Sequence, residues 1–68
     1  MPGLLDVVEL MVATGSWAAG TVGTVVEVTD AGVLVEISDA DGRTLDLVSL
    51  PHDAVRRLDV PQQERLRI

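Results

Sequence analysis

Along most of this chain apolar residues recur every second position, and short glycine- and aspartate-bearing segments interrupt the rhythm. Leu4 to Val12 opens it: Asp6, Val8, Leu10 and Val12 fall on one face of a strand, Val7, Glu9 and Met11 on the other. The segment Ala13 to Gly20 carries two glycines and small polar residues and reads as a loop. Val22 to Val28 is a second strand. Its internal Gly23 marks a bulge or a close approach of another backbone. Asp30-Ala31-Gly32 is the turn to a third strand, Val33 to Ser38, where Val33, Val35 and Ile37 alternate with Leu34, Glu36 and Ser38. Asp39-Ala40-Asp41-Gly42 is the next turn, with Gly42 suited to positive φ. Arg43 to Leu50 is the fourth strand.

Pro51 offers no N–H to a ladder and ends that strand. Pro51 to Val55 predicts one turn of 3₁₀ helix, and Val55 to Leu58 a short fifth strand. The expected fold is all-β: a small five-stranded SH3-like barrel with a 3₁₀ turn before the last strand, closed so that valine-rich strands leave no bare edge. One domain over residues 1–60 and a polar C-terminal tail over residues 61–68 complete the organisation.

Composition narrows the chemistry. With 68 residues the chain is at most one domain, and a domain of this size buries only about 60% of its unfolded surface. Apolar residues make up 47% of it, yet there is one Trp and no Phe or Tyr, so the core must be built from Val, Leu and Ile. Cysteine is absent, which excludes disulfides and thiolate metal sites; with no secretory signal pattern, the cytoplasm is the expected compartment. No apolar run approaches the ~18 residues of a membrane span. The net charge is −6, from 11 acidic and 5 basic residues, all arginine. Such a field repels a phosphate backbone and suits a basic protein surface, so nucleic acid is a disfavoured partner and membrane is not expected.

Four segments in order resemble the DUF4926 family of small bacterial proteins without an assigned function: Leu4-Leu5-Asp6-Val7-Val8-Glu9-Leu10, Gly20 to Val28, Asp41-Gly42-Arg43-Thr44 and Leu50-Pro51. The resemblance runs from Leu4 to Leu58. The Gly20-x-x-Gly23-x-Val25 element is also similar to a KOW motif of SH3-like barrels. The resemblance implies mainly a fold, and, by association with neighbouring toxin-like genes, an antitoxin-like partner role. It implies no catalytic residues.

The residues themselves point away from catalysis. A nucleophile needs a base and the base an orienting group. The single His52 beside Asp53 reads as a polar turn, and Ser16, Ser38 and Ser49 have no better claim. Asp39 and Asp41 start like a calcium loop but lack its closing glutamate, so no metal site is expected. Gly20 to Gly23 lacks the ending of a phosphate loop, and no cofactor is expected.

Binding is the remaining role. Trp17 is either a hydrophobic plug for an aromatic-poor core or an interface anchor. Arg56 and Arg57, with Arg43, are a solvated face or the contact for an acidic group. Val7, Met11, Val26, Leu34 and Val48 are expected opposite the core, a surplus that predicts a protein partner or a homo-oligomer. The candidate partner-binding residues are therefore Trp17, Leu34, Arg43, Arg56 and Arg57. The expected function is a non-catalytic protein-binding module, antitoxin- or immunity-like. The alternatives are a KOW-like module contacting RNA or a ribonucleoprotein, and a structural homo-oligomer.

Overall fold

The computed structural model describes residues 2–58. The expected tail over residues 61–68 lies outside them, as does the end of the expected domain. Five strands follow in order: β1 (Val7–Leu10), β2 (Val22–Val28), β3 (Val33–Ser38), β4 (Thr44–Leu50) and β5 (Val55–Arg57), with a 3₁₀ turn at His52–Ala54 before β5. Where β-branched residues alternate with polar ones, strands form; where Gly, Asp and Pro cluster, they stop.

The first strand starts later than its pattern predicts. Leu5 N–H donates to Val25 O at 2.7 Å, Asp6 N–H to Gly3 O at 3.1 Å, and Gly3 N–H to Asp6 Oδ2 at 2.7 Å. These bonds wrap residues 3–6 into a turn in which Leu5 has φ 68° and stands exposed. Alternating hydrophobicity cannot reveal a carboxylate that turns the chain back on itself.

All ladders are antiparallel and the sheet order is β4-β3-β2-β1-β5. Three ladders are successive hairpins; the fourth sets Leu10 opposite Val55 and Val8 opposite Arg57. The register slips by one residue between Val25 and Glu27 of β2, which leaves Val26 as the extra residue of a bulge. A second slip, opposite Ile37 and Ser38, does the same for Leu45 of β4. Bulges raise local twist and bend the strand that carries them. Among the described residues no ladder joins β4 to β5, so the closed barrel expected from the sequence is an open, bent five-stranded sheet in its hydrogen bonding.

The inner face holds the core: Val8, Leu10, Val25, Val33, Val35, Ile37, Val48, Leu50, Ala54 and Val55 are all buried, and among the described residues no polar one is buried with them. Each Val or Leu so placed contributes roughly 1.5–3 kcal/mol relative to exposure. Val48 corrects the expectation that put it outside. It faces Val35 across the β3–β4 ladder, as Leu50 faces Val33, and is only 8% exposed. The outward residues of β4 are Leu47 and Ser49.

Gly23 and Gly42 are needed for different reasons. Gly23 sits in regular register opposite Val8, but a Cβ there would lie 2.7 Å from the Glu36 backbone oxygen and 2.5 Å from Val35 Cγ1. The close approach predicted at this position is real; the bulge lies three residues on. Gly42 has φ 84° and closes the β3–β4 turn, donating its N–H to Asp39 O at 3.0 Å.

Candidate functional site

The outer face of the sheet is built from cross-strand rows. Glu27 of β2 is opposite Leu34 of β3, which is opposite Ser49 of β4. One level along, Val7, Thr24, Glu36 and Leu47 line up across β1 to β4. Side chains directly opposite in a ladder are near neighbours. The face therefore sets leucines beside glutamates: Leu47 is 53% exposed, Leu34 half-buried, and Leu45 at the adjoining bulge 55% exposed. The Glu36 carboxylate accepts a short hydrogen bond from Thr44 Oγ1. Glu27 has no side-chain partner among the described residues.

A cleft of about 320 Å³ opens at one end of this face. Glu27, Leu34 and Ser49 line it from the sheet, and residues of the β2–β3 turn, Ala31 among them, and Leu50 and Pro51 at the end of β4 contribute the rest. The position of Pro51 is fixed by its neighbour. His52 Nε2–H donates to Thr29 O at 2.8 Å, tying the 3₁₀ turn to the β2–β3 hairpin across 23 positions. A carbonyl only accepts, so this bond puts the imidazole proton on Nε2, while Nδ1 is buried without a partner. The sole histidine thus holds a turn in place.

The candidates singled out from the sequence are dispersed. Trp17 lies in the β1–β2 loop, where Thr14 and Trp17 exchange backbone hydrogen bonds of 2.8 and 2.9 Å around a two-residue turn. Its ring packs against the core, and its indole N–H donates to Asp46 Oδ2 at 2.8 Å. The ring is half-buried, with one part against the core and the rest open to solvent. Leu34 is on the outer face. Arg43 belongs to the β3–β4 turn, its guanidinium 3.4 Å from both Asp39 and Asp41. Those two carboxylates serve the turn as well: Asp39 Oδ1 accepts N–H bonds from Asp41 and Arg43, each 2.9 Å. Arg56 pairs closely with Glu9, directly opposite it on β1. Arg57, also in β5, is exposed and lines a second cleft with Pro2, His52, Val55 and Arg56. Only Leu34 among the five lies on the leucine-and-glutamate face.

Glu27, Leu47 and Ser49 were missed by reading the sequence. In β4 both phases of the alternation carry apolar residues, Leu45 and Leu47 in one and Val48 and Leu50 in the other, so periodicity does not choose the inner face. The pairing with β3 chooses it.

Among the described residues no three His, Asp or Glu side chains converge as a metal site would require, and no helix is long and apolar enough to cross a membrane. No curated protein and no solved structure matches the chain. A family model described as a domain of unknown function, DUF4926, matches residues 4–57, a span that holds all five strands. The chain belongs to the DUF4926 family.

Proposed function

We propose that this chain is a non-catalytic protein-binding module that meets a basic partner through the outer face of β2, β3 and β4. The observation that carries the reading is Leu47, more than half exposed at the centre of an edge strand, directly opposite Glu36 and on the same face as Leu34 and Glu27. Exposed leucine supplies area that a partner desolvates, while the flanking carboxylates select basic surfaces and speed encounter. An SH3-like barrel is the fold proposed to present this face. The strand order, the two bulges and the 3₁₀ turn before β5 support it, with Trp17 lying over the start of β4. An antitoxin or immunity role in the cytoplasm is the case in which the partner is a toxin encoded alongside.

The arginines lend the RNA alternative little support. Arg43 and Arg56 are neutralised by Asp39, Asp41 and Glu9. The test is co-expression with the protein encoded next to this one, followed by co-purification. A complex that survives Arg56→Glu and is lost in Leu47→Glu supports the reading. Complex formation untouched by Leu47→Glu removes it.

A further inference from the structure

We propose that the cleft at Glu27, Leu34 and Ser49 receives one lysine or arginine side chain of the basic partner. This rests on the protein-binding reading above and gives it a recognition element. The argument starts from what the cleft lacks. Its two polar side chains on the outer face, the Glu27 carboxylate and the Ser49 hydroxyl, have no hydrogen-bond or ion-pair partner among the described residues. They stand at the two ends of one cross-strand row, with the Leu34 side chain between them. Ala31 and Pro51 add apolar surface.

Most other carboxylates of the described sheet and its turns are engaged, and Asp30 and Asp53, which are not, do not line the cleft. Glu36 is taken by Thr44, Glu9 by Arg56, Asp39 and Asp41 by Arg43, and Asp46 by Trp17. Glu27 is the one acidic side chain lining this cleft, and no basic residue lines it.

A long basic side chain matches this arrangement in both its parts. Its methylene stem needs apolar surface and its cation needs an acceptor at the rim. Leu34, Ala31 and Pro51 supply the first, and Glu27 and Ser49 the second. The volume of about 320 Å³ stands at the small end of ligand pockets, which run roughly 300–1,000 Å³. An acidic side chain would meet the Glu27 charge at close range, and a purely aliphatic one would bury that carboxylate unpaired at a cost.

The test is an NMR titration of the isotope-labelled full chain with three probes: Nα-acetyl-arginine amide, Nα-acetyl-lysine amide and Nα-acetyl-norleucine amide. The two cationic probes are expected to shift the backbone signals of Glu27, Ala31, Leu34 and Ser49, with norleucine amide much weaker. Glu27→Gln should weaken the arginine probe about fivefold, the upper range of an exposed ion pair. Equal shifts from norleucine amide, no shift from either cation, or unchanged binding in Glu27→Gln overturn the inference. So do shifts that grow with protein concentration alone, because the occupant is then a second copy. Partner capture lost in Leu47→Glu but kept in Glu27→Gln rejects the cleft and keeps the binding face. Partner capture indifferent to Leu47→Glu, with the arginine probe still bound, does the reverse.

Discussion

The indole N–H of Trp17 donates to Asp46 Oδ2 at 2.8 Å, joining the β1–β2 loop to β4 across 29 positions. The same carboxylate takes the Leu47 N–H on its other oxygen at 2.9 Å. Asp46 therefore holds the one aromatic side chain over the core and occupies a backbone donor of an edge strand. Trp17→Ala should lower unfolding stability by about 2–4 kcal/mol, since a large side chain leaves the end of a small core. Asp46→Ala should cost about 1–1.5 kcal/mol and move the single tryptophan's emission to the red. Urea unfolding followed by fluorescence and circular dichroism checks both. A Trp17→Ala variant as stable as the parent would mean the ring contributes nothing to the core.

Leu47→Glu removes an exposed apolar side chain from the middle of the outer face. Its effect on stability should stay within about 0.5 kcal/mol, as for surface changes that disturb no buried group. Val48→Glu, one residue on, should unfold the chain, because that side chain is buried between Val35 and the rest of the core. Thermal melts of the two variants provide the comparison, and similar melting temperatures would show that the β3–β4 register is misassigned.

Gly23→Ala is expected to destabilise by at least about 2 kcal/mol, because the added methyl meets the fixed Glu36 backbone and not a movable side chain. Gly42→Ala meets open space and loses only the left-handed backbone preference, about 1 kcal/mol. Denaturant midpoints should rank the two in that order. The reverse ranking would place the strain in the turn.

Leu5 holds φ 68° with its side chain 70% exposed, so it spends conformational energy without burying area. Leu5→Asn should raise stability by about 0.5–1 kcal/mol, since asparagine tolerates this conformation. A loss of stability on that change would show that the leucine makes contacts that its exposure hides.

The strands were legible because their pattern is local. Val22–Val28 and Val33–Ser38 stand where alternation and turn residues put them, and the 3₁₀ turn follows Pro51 as its missing N–H dictates. What stayed hidden depends on partners far along the chain. Trp17 is packed against the core with its N–H received by Asp46, 29 positions away. Val48 is inside because Val35 faces it. The Glu27–Leu34–Ser49 row exists only after the Val26 bulge shifts β2 by one residue. Each of these is a fact of register, and one sequence read alone does not contain register.

The order of the ladders also bears on how the protein is made. β1 to β4 can zip together as each emerges from the ribosome, since every one pairs with its predecessor. The flank of β1 that receives Val55 to Arg57 has no mate until nearly the whole described chain exists. Nascent chains arrested after Leu50 should thus be cut by protease near Val8 and Leu10, and chains extended past Leu58 should resist. Equal resistance at both lengths would mean that β5 is an ornament on a sheet already complete.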